Sequence, residues 1–175
     1  MDFKREYLKE LLKRYEQNFD ITENYVLDGE TYPAYAWFYS FNEKYVLRKE
    51  AQLWAVKAYE HVIFMTEDFF NGEKLQKISE TIEKVVEPVL VRKNNKYPEK
   101  DHMCSYITFI VVTDHNPDEE TKRKIKKFNY DRGYLFNFRG HSEGRLAVIS
   151  MDSGNVYTNR NGRELRNTLQ NAFSA

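Results

Sequence analysis

The stretch Tyr106-Ile107-Thr108-Phe109-Ile110-Val111-Val112 decides the fold of this chain. The run is apolar at nearly every position, is rich in β-branched and aromatic residues, and is too short for a buried helix. Such a run predicts a strand that is covered on both faces, as the strands of parallel sheets are.

The residues after this strand predict a short helix. Asn116 can act as its N-cap, Pro117 suits its first position, and Ile125 with Phe128 gives it one narrow apolar stripe. The chain then enters a second predicted strand at Tyr134–Arg139. Strand, helix and strand form a βαβ unit, whose crossover we expect to be right-handed.

The rest of the chain predicts a β meander between two helices and a second group of strands before a final helix. The predicted helices cover residues 3–16, Asn71–Arg92 and Asn161–Phe173, with Pro88 expected to kink or end the second near Glu87. The predicted strands of the meander are Ala34–Phe41, Tyr45–Arg48, Ala51–Ala58 and Tyr59–Met65. A polar, turn-rich segment at Asn18–Thr31, with a predicted turn at Asp28-Gly29-Glu30, precedes them. A loop at residues 140–144, a strand at Arg145–Met151, a hairpin turn at Asp152–Asn155 and a strand at Val156–Thr158 follow. This order predicts the class α/β or α+β: a single mixed sheet with an antiparallel meander, a C-terminal βαβ unit and helices on its faces.

Length and composition predict one cytoplasmic domain over residues 1–175. The only cysteine, Cys104, can form neither an internal disulfide nor a zinc cluster, which indicates a reducing compartment. The charged N-terminus lacks a signal-peptide core, and no apolar run approaches the roughly 20 residues of a membrane span.

Basic residues are concentrated in the C-terminal part of the chain. Residues 122–175 hold 11 Lys and Arg against 4 Asp and Glu, although the net charge of the whole chain is zero. A solvated surface is the more common meaning of such an excess, and an anionic or nucleic-acid partner is the alternative. The candidate anion-binding residues are Lys122, Arg123, Lys126, Lys127, Arg139, Arg145, Arg160 and Arg163.

Polar residues that follow two predicted strands suggest a crevice. Ligands of open α/β sheets bind at the carboxyl ends of parallel strands. If Tyr106–Val112 and Tyr134–Arg139 run in parallel, we expect Asp114, His115 and His141, together with Arg139, to share one edge of the sheet.

Searches for catalytic motifs find no recognised constellation. The histidines lack metal-ligand spacing, and neither a Gly-rich phosphate loop nor a nucleophile elbow occurs, so no metal or cofactor is predicted. Glu60 is a weak catalytic candidate, because an acidic side chain on a strand needs a partner if it faces inward.

Several segments resemble an uncharacterised family of bacterial cytosolic domains. They are Ile107–Lys127, Arg145–Leu165 with its ending Tyr-Thr-Asn-Arg-Asn-Gly-Arg-Glu-Leu, Glu43-Lys44-Tyr45 and Tyr59-Glu60-His61. The resemblance implies no activity. The order of elements is also similar to that of restriction-endonuclease-like proteins, which hold a metal with an Asp and a Glu-x-Lys motif. This resemblance makes Glu50, with Glu60, a weak catalytic candidate, but no lysine stands two residues after either.

Three functional hypotheses remain from the sequence. The first is a non-catalytic binding domain for a protein or an anionic, nucleic-acid-like partner. The second is a metal-dependent, nuclease-like enzyme or an enzyme of phosphorylated substrates. The third is a structural subunit that forms oligomers such as a homodimer, for which exposure of Trp37, Phe38 and Trp54 is the first property to check.

Overall fold

A computed structural model describes residues 3–42 and 56–173, which form a seven-stranded mixed sheet with helices on both faces. The helices are α1 (Phe3–Tyr15), α2 (Gly72–Thr81), α3 (Glu119–Lys127) and α4 (Arg166–Asn171). The strands are β1 (Asp20–Leu27), β2 (Glu30–Asn42), β3 (Val56–Glu67), β4 (His102–Thr113), β5 (Asp131–Gly133), β6 (His141–Ser150) and β7 (Val156–Thr158). Their spatial order is β1-β2-β3-β4-β6-β5, and β7 also pairs with β6. The predicted fold class is therefore confirmed.

The predicted central strand is confirmed as part of β4. This strand lies parallel to both β3 and β6, and Ile107, Ile110 and Val112 are fully buried. The apolar residues of β4 alternate between two separate cores because successive side chains point to opposite faces of a strand. Ile107 packs under α2, whereas Ile110 packs under α1 and α4.

The meander is antiparallel, as expected, but its first strand was missed. Residues 20–27 were assigned to a polar, turn-rich segment, and they form the edge strand β1. Most of its side chains are exposed, so pairing with β2 rather than an apolar face holds it in place. The turn at Asp28-Gly29 is confirmed, with φ of 50° and 79° at its two central residues. The predicted strand Tyr45–Arg48 and most of Ala51–Ala58 lie outside the described residues.

The long helix does not end near Glu87. It begins after Asn71, whose side chain accepts a hydrogen bond from the Lys74 amide at 3.0 Å. From Ile82 to Val91 it continues as a π-helix that contains Pro88. Proline lacks an N–H group and its ring clashes with the carbonyl four residues earlier. The wider π-turn accommodates it, as shown by the bond from the Arg92 amide to the Glu87 carbonyl at 3.1 Å.

The second strand of the βαβ unit was placed wrongly. The chain reaches the parallel position beside β4 at β6, and the predicted loop at residues 141–144 is the first part of that strand. Residues 134–139 instead form a tight loop with left-handed backbone at three positions. Only three residues before it, Asp131–Gly133, pair with β6, and they run antiparallel.

Two predicted helix starts were also wrong in position. Asp118, not Asn116, caps α3, and its carboxylate accepts the Thr121 amide at 2.7 Å. The Asn116 side chain instead donates to Asp152 and accepts from Tyr157, which fixes the β6–β7 turn. The predicted helix at Asn161–Phe173 starts as a 3-10 turn at Arg163–Leu165 and becomes α-helical at Arg166.

Candidate functional site

The predicted crevice does not form, because its members lie at opposite ends of the sheet. Asp114 and His115 follow the carboxyl end of β4, whereas His141 begins β6 beside Cys104 at the amino end of β4. Arg139 precedes His141 and donates to the Pro98 carbonyl at 3.2 Å. The expectation failed because it depended on a parallel strand at 134–139, where the chain turns back.

The carboxyl ends of β3 and β4 are joined by a lysine from α1. The Lys4 ammonium lies 2.9 Å from an Asp68 oxygen, 2.7 Å from an Asp114 oxygen and 3.1 Å from the Glu67 carbonyl. Burial disfavours the charged form of Lys4, but the bonds to the two carboxylates outweigh it and raise its pKa. His115 is exposed, 3.8 Å from Asp152. The contacts of Lys4 hold α1 against the sheet.

Glu60 and Arg145, proposed for different roles, lie together on the face of the sheet that carries α1. They belong to a cluster, named here the Arg145 cluster, made of Glu60, Tyr106, Glu143, Arg145 and Glu164. The Arg145 guanidinium stacks 3.6 Å from the centre of the Tyr106 ring. Its nitrogens lie 2.6 Å from Glu164, 3.5 Å from Glu143 and 3.8 Å from Glu60. Three carboxylates thus surround one cation, and the cluster is acidic overall.

The chemistry open to the Arg145 cluster is limited. Burial raises the pKa of Glu60, and this effect is opposed by Arg145 and by the hydrogen bond from Thr108. Burial also raises the pKa of the nearby Cys104 thiol and raises that of Tyr106 to about 12. The cluster therefore offers a carboxyl group that holds its proton more tightly than usual. Cys104 and Tyr106 stay protonated at neutral pH, so neither is an activated nucleophile.

No set of three His, Cys, Asp or Glu side chains in residues 3–42 and 56–173 could hold a metal ion. Glu50, the other weak catalytic candidate, lies outside these residues. Within the part of the chain that the structure describes, Glu60 of the Arg145 cluster is the only one of the predicted catalytic candidates. Among these residues it has no partner for metal or nucleophilic chemistry.

The predicted anion-binding residues divide into two groups. Arg139 and Arg145 have the internal partners described above. The others lie on α3 and on the segment after β7. Four exposed members of this group are named here the basic edge: Lys126, Lys127, Arg160 and Arg163. The buried Asn159 brings the two segments together, because its amide donates to the Phe128 carbonyl at 3.2 Å and to the Gly144 carbonyl at 3.0 Å. Lys122 pairs with Glu119 at 2.7 Å, and Arg123 is exposed.

Exposure of Trp37, Phe38 and Trp54 was the property to check for an apolar interface. Trp37 and Phe38 are half-buried, and Trp54 lies outside the described residues. Among the described residues, the large apolar side chains with the strongest exposure lie instead in residues 134–140, named here the aromatic loop. Phe136 is 98% exposed and Phe138 is 85% exposed, and Leu135 contributes further apolar surface.

The backbone of the aromatic loop is held in a costly conformation. Leu135, Phe136 and Asn137 have φ of 49°, 52° and 67°, a left-handed region that costs a residue other than glycine about 1 kcal/mol or more. Four backbone bonds close the loop, including Arg139 N–H to the Tyr134 carbonyl at 3.1 Å. At Gly140, φ is +74° and an added Cβ would lie 2.1 Å from the Met103 carbonyl oxygen, so only glycine fits against β4.

A buried polar network anchors the loop beneath its exposed tip. The Tyr134 hydroxyl donates to Glu87 at 2.8 Å and lies 2.8 Å from the Ser142 hydroxyl. Glu87 is fully buried and also accepts from Arg92 at 2.7 Å and from Arg132 at 3.2 Å. The buried carboxylate therefore has several charged or polar donors, and the residue that opens the loop is fixed from below.

Sequence reasoning missed the aromatic loop because Tyr-Leu-Phe-Asn-Phe has the composition of a strand. Two signals at its ends and one inside it point to a turn. Gly133 and Gly140 flank the segment, and Asn137 is a residue type that tolerates the left-handed region.

Fold and site together define a class: a mixed α/β domain that displays an exposed aromatic loop and has no recognised catalytic constellation in its described residues. The chain belongs to the family described as "Domain of unknown function (DUF8052)", whose model matches residues 4–171. The expected membership of an uncharacterised family is thereby confirmed. No curated protein and no solved structure matches the chain. None of the helices in the described residues is long and apolar enough to cross a membrane.

Proposed function

We propose that this protein is a non-catalytic binding domain that docks a protein partner through its aromatic loop. The observation that carries the proposal is the exposure of Phe136 and Phe138, 98% and 85%, on a loop with a constrained backbone. Buried aromatic side chains are frequent anchors of protein interfaces, and each fully buried ring contributes roughly 2 kcal/mol. The expected partner has an apolar pocket that accepts a phenyl ring.

The rigidity of the loop favours binding over accidental exposure. Four backbone bonds, the Gly140 contact with β4 and the Tyr134–Glu87 bond all restrict it. A loop that already has its bound conformation loses little entropy when it docks. Met103, whose backbone carbonyl approaches Gly140, is also 52% exposed and adds apolar surface on β4.

The test combines a double substitution with site-specific photocross-linking. Phe136→Ser with Phe138→Ser should leave the free energy of unfolding within about 0.5 kcal/mol of wild type, because both side chains are exposed. A photoreactive phenylalanine analogue at position 136 should cross-link one defined protein in cells, and the purified protein should bind it directly. Val26, which is 62% exposed on the opposite edge strand, is the matched control position.

The proposal requires that the double variant loses at least tenfold in affinity for the cross-linked protein. Equal affinity of wild type and variant, or the same cross-links from positions 136 and 26, would refute it. A cross-link to a second copy of this chain would identify a homodimer interface and would replace the proposed partner.

An anionic partner at the basic edge is the second candidate function. It is supported by the way Asn159 brings the end of α3 against the loop that carries Arg160. Binding of a fluorescent single-stranded oligonucleotide should weaken as the salt concentration rises. The slope of the logarithm of the binding constant against the logarithm of the salt concentration should fall in magnitude by about 1 to 2 in the double variant Lys127→Glu with Arg160→Glu. Lys9→Glu with Lys13→Glu, an equal charge change on α1, is the control. Absent binding, or the same loss in both variants, would remove this candidate.

A further inference from the structure

A cleft of about 470 Å³ lies between residues 91–99, at the end of the long helix and after it, and Arg139 of the aromatic loop. Its lining includes three cationic side chains, Arg92, Lys93 and Arg139, and one carboxylate, Glu99. The volume lies within the roughly 300–1,000 Å³ of small-ligand sites. Neither the basic edge nor the Arg145 cluster contributes a residue to the cleft.

Arg139 has no carboxylate partner among the residues that the structure describes. Its side chain is half-buried and donates one hydrogen bond, to the Pro98 carbonyl at 3.2 Å. No Asp or Glu oxygen in residues 3–42 and 56–173 lies within 4.0 Å of its guanidinium nitrogens. A guanidinium carries five N–H donors in a planar fork, so most of its donors are left for a ligand in the cleft. Arg92 and Lys93 complement the negative end of the helix dipole, but Arg139 comes from a separate segment.

The carboxylates beside the cleft do not neutralise its cations. Glu99 is shared by Lys57 at 2.8 Å and Lys93 at 3.2 Å. Arg92 likewise shares the buried Glu87 with a second arginine. Two cations thus compete for each carboxylate, and Arg139 adds a further positive charge. The cleft therefore has an excess of positive charge that attracts an anion.

We propose that this cleft binds the phosphate group of a small molecule, with the Arg139 guanidinium as the main contact. A phosphate monoester carries a charge of about −1.5 to −2 at neutral pH, which matches the excess of cations better than the single charge of a carboxylate does. The planar fork of Arg139 can donate to two phosphate oxygens at once, whereas Lys93, 66% exposed, adds a flexible point charge at the rim. The site is independent of the docking role proposed for Phe136 and Phe138, because neither ring lines the cleft.

The experiment titrates the full chain with inorganic phosphate, glycerol phosphate, glycerol and acetate at constant ionic strength. NMR spectra of the backbone amides and of the arginine Nε–H groups give the dissociation constant and the location of binding. The two cleft variants are Arg139→Gln and Lys93→Gln. Arg163→Gln, which removes the same charge from the basic edge, is the control.

Both phosphates should shift the amides of Lys93 and Asn95 and the Nε–H signal of Arg139 saturably, whereas glycerol should not. Arg139→Gln should weaken the binding of glycerol phosphate by about tenfold or more, and Lys93→Gln by about threefold, because each removes a charged donor. Arg163→Gln should stay within about twofold of wild type. If Arg139→Gln fails to fold, Lys93→Gln alone decides, since its side chain is exposed.

Unsaturable shifts in the wild type, equal losses in the cleft and control variants, or unchanged affinity in Lys93→Gln would overturn the proposal. Acetate that binds as tightly as phosphate would also overturn it, because the cleft would then not select a dianion. Phe136→Ser with Phe138→Ser should bind glycerol phosphate as the wild type does. A failed phosphate titration therefore leaves the aromatic-loop proposal standing, and a failed cross-linking experiment leaves this one.

Discussion

Acidification should destabilise this protein because His61 is buried and its imidazole stays uncharged in the folded state. Its side chain is 4% exposed, lies between the rings of Tyr35 and Tyr59, and has its Nδ1 atom 2.8 Å from the Tyr35 hydroxyl. Burial lowers the pKa of His61 to about 4, with smaller contributions from the charges of His102 and Lys93. The unfolded chain binds the proton with an ordinary pKa of about 6.5.

The sign and size of the effect follow from these two values. The folded-state pKa is the lower one, so the stabilisation is complete above pH 6.5 and is lost as the pH falls towards 4. The shift from about 6.5 to about 4 corresponds to about 3 kcal/mol in total, of which about 2 kcal/mol should be lost between pH 7 and pH 5. That is a large fraction of the 5–15 kcal/mol by which domains are usually stable.

The measurement is urea unfolding of wild type and His61→Gln at several pH values from 7 to 5. Gln cannot titrate, and its amide can still form a hydrogen bond with Tyr35. Because the other titrating groups are common to both proteins, the wild type should lose about 2 kcal/mol more than the variant over this range. Parallel pH profiles, or an NMR titration of the His61 ring with a midpoint near 6.5, would refute the reasoning.

Four further substitutions test the packing and the buried polar network. Gly140→Ala should lower the free energy of unfolding by more than about 2 kcal/mol, because its Cβ meets the Met103 carbonyl at 2.1 Å. Gly29→Ala, with φ of +79° and no atom within 4 Å of the added Cβ, should cost only about 1 kcal/mol, and equal losses in thermal melts would contradict the assigned contact. Glu87→Gln should cost about 3 kcal/mol in urea unfolding, since it removes the charge of a fully buried ion-paired group; an unchanged midpoint would argue against the network. Leu11→Ala, at a fully buried position of α1, should cost 2–5 kcal/mol by the same measurement, and a loss below about 1 kcal/mol would place α1 away from the core.

The sequence predicts elements whose burial is uniform along their length. The run Tyr106–Val112 is apolar at nearly every position because both faces of β4 are covered, so composition alone indicates a central strand. The helix at residues 3–16 and the turn at Asp28 were predictable for similar reasons. Each depends on side chains or backbone angles within a few residues of one another.

Local patterns fail where a distant contact decides the conformation. β1 has no apolar face of its own and becomes a strand because β2 pairs with it. Pro88 was expected to kink or end its helix near Glu87, yet a π-helical segment continues past it and buries Val86 and Val91. Neither outcome can be read from a window of neighbouring residues, since the stabilising partner is elsewhere in the chain.

The candidate sites also combine features that the local sequence predicts with features that distant contacts decide. The sequence named Glu60 as a weak catalytic candidate and Arg145 as a candidate anion-binding residue, and only the folded sheet brings them within 3.8 Å of each other. By itself the sequence determined a mixed α/β domain around a buried parallel strand, because apolar periodicity records which side chains must leave water. The tertiary structure alone decided that residues 134–140 form an exposed loop, because the contacts of Tyr134 with Glu87 and of Gly140 with Met103 outweigh the local preference for a strand.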